Sequence, residues 1–168
     1  MDQDLTFGKH PLTFNGPLEA GMRAVAVLGA AHPQALDLQR LTAFDYLLVH
    51  TGDIGGPVSL HPDVRLRSAA LLVRRKIVEQ ALLLMMTRQL IERDIGAYGI
   101  RYRAGENAAP FLAALESDYL KDLKDRANWL VSALGKLSDQ DFRAMMRKFF
   151  DDWVEEFQVA ERSLGVDS

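Results

Sequence analysis

Apolar residues recur at three- and four-residue spacings along most of the chain, which is the pattern of amphipathic helices. Residues 65–93 contain neither Gly nor Pro, so this stretch predicts one long helix or two helices with a tight joint near 74–76. The same spacing predicts the other helices over residues 18–31, 35–50, 106–115, 117–134 and from Ser138 onward. The fold class that follows is mainly α.

One short region departs from the helical spacing. Two runs, 90–94 and 100–103, flank a turn that is bounded by Gly96 and Gly99, and apolar residues alternate with arginines in the second run. Alternation around a glycine-bounded turn predicts a small β-hairpin.

Between Ala35 and Leu115 the expected order is helix, helix, helix, hairpin, helix. This order resembles a winged helix, in which the third helix leads into a strand, a wing and a returning strand. We therefore expect a winged helix-turn-helix core followed by C-terminal helices. The corresponding divisions are an N-terminal arm (1–17), a winged-helix domain (18–116), a C-terminal helical pair (117–160) and a tail (161–168).

The helix before the hairpin has an unusual second half. A helix that reads a DNA groove presents polar and basic side chains, whereas Leu83, Leu84, Met85 and Met86 follow one another here. A helix that is apolar almost all round is buried on more than one side. We expect one side to pack in the core and the other to contact a partner protein or a second copy. The alternative is that all four side chains fit inside the core of one chain.

Charge is unevenly distributed. Residues 65–103 carry nine Lys and Arg against three Asp and Glu, and both flanking parts are acidic. A basic centre suits nucleic-acid phosphates, an acidic partner, or the acidic ends of a second copy. The nucleic-acid alternative is a winged-helix transcriptional regulator that contacts DNA through Arg67, Arg74, Arg75, Lys76, Arg101 and Arg103.

Candidate catalytic groups are few. The sequence has no cysteine, which excludes disulfides, thiolate zinc sites and a cysteine nucleophile. A third hypothesis, a metal-dependent enzyme, would use His50, Asp53 and His61 around the loop 51–64, although their spacing matches no standard ligand pattern. Phosphate-loop and nucleophile-elbow motifs are absent, so we expect no catalysis, no metal and no cofactor.

The apolar runs are too short for a membrane span, which needs about 20 residues. The first residues are acidic and have no apolar run after them, unlike a signal peptide. We therefore expect a cytoplasmic protein without membrane contact.

Three stretches carry a more particular resemblance: ALDLQRLTAFDYLLVHTGD (35–53), HPDVRLRSAALLVRRKIVEQALLLMMTRQLIER (61–93) and GIRYRAGENAAPFLAAL (99–115). Together they resemble the middle-component proteins of bacterial ABC-three-component systems. The resemblance implies a winged-helix accessory subunit that bridges an ABC/SMC-like ATPase and a third component. It also implies a role in defence against phage or plasmid DNA. It carries no catalytic residue over to this chain, and it leaves open whether the chain is a dimer and whether DNA is contacted directly.

Overall fold

The computed structural model describes residues 16–62 and 67–149. The expected tail, and all but the end of the expected N-terminal arm, lie outside these residues. The described elements are α1 (Pro17–Ala31), α2 (Leu38–Val49), a 3-10 turn (Thr51–Ile54), α3 (Arg67–Thr87), β1 (Ile91–Gly96), β2 (Gly99–Ala104), α4 (Ala108–Ala113), α5 (Asp118–Leu134) and α6 (Asp139–Phe149). The prediction of a mainly helical fold with one small hairpin is confirmed. None of the described helices combines the length and the apolar character that a bilayer crossing requires.

The helices begin where capping residues stand in the sequence. Pro17 occupies the first turn of α1, where its missing amide costs no hydrogen bond. The side chains of Asp37, Ser117 and Ser138 accept hydrogen bonds from the backbone amides three residues later, at 2.8, 3.3 and 3.1 Å. Each of these bonds satisfies an amide that has no partner within its own helix.

α3 is one continuous helix of 21 residues. The alternative of two helices with a joint near 74–76 is therefore wrong. No helix breaker interrupts the stretch, and Val78, Leu82 and Met85 are buried on one side of the helix. The chain between Ala35 and the hairpin therefore contains two α-helices, α2 and α3, and not the three that were expected. α3 is the third helix of the chain because α1 precedes Ala35.

The core is built around α1, which packs against α3 and α5. Val25 and Leu28 of α1 are fully buried, and Leu130 of α5 is buried against the same cluster. α1 and α3 approach closely at Gly21, where a Cβ atom would collide with the side chain of Met85. α2 completes the core and is buried along its whole second half.

The hairpin is antiparallel, with Ile91 opposite Ala104 at its base and Gly96 opposite Gly99 at its tip. Gly99 adopts a φ of 95°, a conformation that side chains with a Cβ rarely take. The hairpin is fixed to the linker between α1 and α2, because the backbones of Tyr102 and Leu36 exchange two hydrogen bonds of 2.8 Å.

Candidate functional site

The outward side of α3 brings apolar side chains into contact with solvent. Val73 is 61% exposed and Leu83 is 59% exposed, although both are large hydrophobic residues. The positions on this side follow helical spacing, and the two at its margin, Ile77 and Leu84, are half-buried. We call this surface the outer face of α3; it consists of Val73, Lys76, Ile77, Glu79, Gln80, Leu83, Leu84 and Thr87, and so it carries one charge of each sign.

The four residues predicted to bind a partner do not share one environment. Successive residues of a helix point about 100° apart, so the run is divided between core and surface. Met85 is 1% exposed and lies in the core. Its side chain therefore has no surface that a partner could contact, and the prediction that Met85 binds a partner is not supported. Leu83 is exposed, while Leu84 and Met86 are half-buried and pack against the core.

Arg74, predicted as a DNA contact, is directed into the protein. Its Nη1 donates to the Asp45 Oδ2 at 2.7 Å and to the Asp45 backbone oxygen at 3.1 Å. Its guanidinium lies 5.4 Å from the centre of the Tyr46 ring. The side chain is only 12% exposed, so Arg74 is not placed to reach a phosphate.

Two other predicted DNA contacts form pairs at the surface. On α3, the Arg75 Nε lies 3.7 Å from the Glu79 Oε1. Across the hairpin, the Arg103 Nε lies 3.0 Å from the Glu92 Oε2. Exposed pairs of this kind are weak and do not prevent either arginine from binding elsewhere. Of the remaining cations, Lys76 lies on the outer face of α3, and the side chain of Arg67 lies outside the described part of the chain.

Arg101 is directed toward other protein groups. Its guanidinium lies 5.4 Å from the ring centre of Tyr98 at the hairpin tip. It also lines a polar cavity of about 260 Å³ together with Arg40, Asp37 and Asp139. Arg40 donates to Asp139 at 2.8 Å, and this hydrogen bond lowers the pKa of the Asp139 carboxyl. Two carboxylates thus face two guanidinium groups, and the cavity offers no excess positive charge for an anion.

The three candidates for a metal site lie close together: the ring centres of His50 and His61 are 6.2 Å apart, and His50 and Asp53 both contact Tyr46. His50 is fully buried and stacks on Tyr46, with ring centres 4.2 Å apart. Asp53 accepts a hydrogen bond of 3.0 Å from the Tyr46 hydroxyl, and His61 Nε2 is hydrogen-bonded to the Tyr119 hydroxyl at 2.9 Å. Within residues 16–62 and 67–149, no three His, Asp or Glu side chains are grouped so that they could hold a metal ion. The hypothesis of a metal-dependent enzyme therefore gains no support from this region.

His61 has a strongly shifted protonation equilibrium. Burial is the largest cause and lowers its pKa to about 4. The positive charges of Arg23 and Arg74 act in the same direction, as does His50, whereas Asp45 opposes them. His61 is therefore neutral at physiological pH. A neutral ring can accept a hydrogen bond from the Tyr119 hydroxyl.

Sequence reasoning missed a buried charge network that joins three helices. Arg23 of α1 donates to Asp45 of α2 at 2.7 and 3.4 Å, and Arg74 of α3 contacts the same carboxylate. Arg23 and Asp45 are 3% and 4% exposed. Only a weak signal in the sequence pointed to this network. Arg23 and Asp45 each stand as a single charge within a strongly apolar helix segment, and such charges are rarely buried unless they are paired.

The loop after α2 is held against α5. Arg126 donates to the backbone oxygen of Val58 at 2.9 and 3.3 Å, and the ring of Trp129 lies against Gly56, where a Cβ atom would collide with it. Val58 itself is exposed. The described part of this loop, residues 51–62, is thus a fixed surface feature that presents an apolar residue.

Comparison with known proteins gives one family. A family model described as ABC-three component (ABC-3C) system Middle Component 2 matches residues 13–156. No curated protein matches the chain. No solved structure matches it either.

Proposed function

Because the chain belongs to the Middle Component 2 family of ABC-three component systems, we propose that it is a non-catalytic accessory subunit that joins an ABC/SMC-like ATPase to a third component. The proposed setting is a cytoplasmic complex that defends the cell against phage or plasmid DNA. The family name supports partnership with other components of such a system.

The observation that carries this proposal is the chemistry of the outer face of α3. A helix that reads DNA places polar and basic groups where they meet base edges and phosphates. Here Val73 and Leu83 are exposed at those positions, and Lys76 is the one cation among the described side chains of the face. An apolar helix surface of this kind suits contact with another polypeptide. We assign partner binding to Leu83 and to the half-buried Leu84 at the margin of the face; Met86, which is also half-buried, lies outside the face.

The proposal includes a winged-helix core. The order of elements supports it: α1, a segment at Leu36 that pairs with β2, then α2, α3 and the hairpin. In this arrangement α3 takes the place of the recognition helix and the hairpin that of the wing.

A subunit that joins two proteins needs two separate surfaces. The outer face of α3 supplies one in this proposal. The loop 51–62, held in place by Arg126 and Trp129, and the hairpin tip, where Tyr98 is 88% exposed, are the candidates for the second.

The test is co-purification of the tagged chain with the ATPase and the third component encoded beside it. We expect the native chain to retain both and Leu83→Glu to lose at least one by about tenfold, since a buried charge at an apolar contact is costly. Ala133→Glu introduces the same charge at an exposed position of α5 and should behave like the native chain. Retention of neither component by the native chain would refute the proposal.

The competing function, a DNA-binding regulator, is favoured by the hairpin, on which Arg103 and the Tyr98 at the tip are exposed. It is disfavoured by the inward direction of Arg74. If it is correct, binding of the isolated chain to duplex DNA weakens steeply with salt. Each phosphate-contacting arginine that is removed then reduces the slope by about one unit. We expect no such steep dependence, and Arg101→Ala with Arg103→Ala tests it.

A further inference from the structure

We infer that the hairpin carries the second binding surface of this protein, and that its occupant is an apolar pocket with an acidic rim on another protein of the complex. We call this surface the hairpin knob; it consists of Ile95, Tyr98 and Ile100. The inference rests on the proposed function, because it takes the chain to join two proteins. It goes further by choosing the hairpin over the loop 51–62 and by naming the chemistry of what the hairpin binds.

The hairpin knob stands clear of the core. Ile91 and Ala104 at the base of the hairpin are buried, whereas residues 92–100 are all exposed. Along β1, Ile95 lies about 14 Å beyond Ile91, since each strand residue adds about 3.4 Å. A Cβ atom added at either glycine of the turn would meet nothing within 4 Å. The tip is therefore a projection, and a projection fits a concave surface.

The knob is apolar at positions that face solvent. Ile95 and Ile100 are opposite each other in the register, and they are 69% and 47% exposed. Opposite residues of an antiparallel pair place their side chains on the same face of the sheet, so the two isoleucines form one patch. Tyr98, in the turn beyond them, is 88% exposed. Exposed apolar side chains that adjoin one another mark interaction sites, whereas scattered ones are ordinary.

The loop 51–62 offers less apolar surface to a partner. Val58 is exposed there, but Ile54 and Leu60 are partly buried and pack against the core. A single exposed valine is a scattered apolar residue and not a patch. The hairpin knob is therefore the better second surface.

The knob is held in place before a partner binds. The backbones of Tyr102 and Leu36 exchange two hydrogen bonds of 2.8 Å, which fix β2 to the body of the protein. The Arg101 guanidinium lies 5.4 Å from the ring centre of Tyr98 and supports that ring at the tip. A surface that is already ordered loses less conformational entropy on binding, and tyrosine is enriched among the residues that dominate binding energy.

Charge at the hairpin indicates the rim of the pocket. Residues two apart in a strand share a face, so the exposed Arg93 lies on the same face as Ile95. On the opposite face, Arg103 is paired with Glu92 at 3.0 Å. A pocket that receives the two isoleucines therefore meets Arg93 at its edge, and a carboxylate there complements the guanidinium.

The same charges favour a protein over a phosphate surface. Asp94 adjoins Ile95 in β1, and both its neighbours along the strand, Arg93 and Ile95, lie on the other face. DNA or an anionic lipid surface that received the tip would bring its phosphates close to the Asp94 carboxylate as well as to Arg93, and like charges repel. A protein pocket can place its carboxylate on the side of Arg93 alone.

The test is co-purification of the tagged chain with the ATPase and the third component encoded beside it. We expect the double variant Ile95→Thr with Ile100→Thr to retain one component at least about tenfold less than the native chain, since the apolar anchors are lost. Threonine is β-branched and suits strands, so the hairpin itself is kept. Asp94→Thr is the matched control: it places the same residue on the opposite face and should retain both components. The two variants should unfold at similar urea concentrations.

The acidic rim is tested at Arg93. Arg93→Glu should reduce retention of the same component at least about tenfold, because it sets two carboxylates against each other, whereas Arg93→Lys keeps the charge and should retain most of it. Leu83→Glu, on the outer face of α3, should lose the other component. Native-like retention by the double threonine variant, or loss of one and the same component from it and from Leu83→Glu, would overturn the inference. So would binding of the purified native chain to duplex DNA or to phosphatidylglycerol vesicles that the double threonine variant loses.

The two proposals fail separately. A native chain that retains neither component refutes the proposed function. If the native chain and the double threonine variant both retain the two components, and Val58→Asp loses one, the second surface is the loop 51–62. That result refutes the role of the hairpin knob and leaves the accessory role intact.

Discussion

Leu83 and Met85 stand two residues apart on α3, yet one faces solvent and the other the core. Replacing each in turn by alanine removes an apolar side chain of similar size from the same helix. Because alanine is the best helix former, a difference in helix propensity does not account for a loss in either variant. The comparison therefore reports burial, on which the assignment of the outer face depends.

The magnitudes follow from the exposed fractions. Full burial of a Leu or Met side chain is worth about 2 kcal/mol, and Leu83 keeps 59% of its surface exposed in the single chain. Leu83→Ala should therefore lower the free energy of unfolding by about 1 kcal/mol or less. Met85 is 1% exposed and packs against α1 at Gly21. Its removal leaves a cavity as well, so Met85→Ala should cost about 2–5 kcal/mol.

The assay is urea unfolding followed by far-ultraviolet circular dichroism. With a slope of about 2 kcal/mol per molar urea, Met85→Ala should shift the midpoint by about 1–2.5 M and Leu83→Ala by about 0.5 M or less. The measurement is repeated at two protein concentrations, because a dimer through Leu83 would add a concentration-dependent contribution. Equal losses for the two variants at the lower concentration would refute the assignment of Leu83 to the surface.

Three further predictions follow from the described contacts. Asp45→Ala leaves two largely buried guanidinium groups without their shared carboxylate and should destabilise the protein by about 3–5 kcal/mol in urea unfolding. Glu79→Ala removes an exposed ion pair and should lower the free energy of unfolding by about 0.5 kcal/mol or less. Equal losses of stability in Asp45→Ala and Glu79→Ala would contradict the buried network. The lowered pKa of His61 favours its neutral form in the folded state, so its contribution to stability is present above pH 6.5 and is lost as pH falls toward 4. A His61→Phe variant should show a weaker loss of stability over that range, and an unchanged pH profile would argue against the shift. Gly56→Ala should destabilise by about 1–3 kcal/mol because its Cβ meets the ring of Trp129. Gly96→Ala, where a Cβ meets nothing, is the neutral control.

Local sequence signals predicted the elements well. The capping side chains of Ser117 and Ser138 mark where two helices begin, and Gly96 and Gly99 bound the hairpin turn. Pro17 was assigned to the N-terminal arm, whereas it occupies the first turn of α1. Caps and turns depend on residues that are adjacent in the chain, so their physical basis can be read without knowledge of the tertiary structure. The family resemblance drawn from three stretches was also confirmed.

Of the two alternatives for residues 65–93, the single long helix is confirmed and the joint near residues 74–76 is wrong. The position of Arg74 on that helix, however, was decided by tertiary contacts. Three adjacent basic residues in a helix favour a surface position, but the first of them, Arg74, is held by Asp45 of α2 and lies over Tyr46. Its partner is 29 residues away in the sequence, and no local pattern identifies it. The same pairing removes Arg74 from the proposed DNA contacts.

The sequence by itself determined that this chain forms amphipathic helices around one hairpin and that the second half of α3 is apolar almost all round. It did not determine which of Leu83, Leu84, Met85 and Met86 faces outward, because all four are apolar and a periodic pattern without polar residues has no distinguishable side. The tertiary structure decided that point: α1 approaches α3 at Gly21 and encloses Met85, and Leu83 is left in solvent.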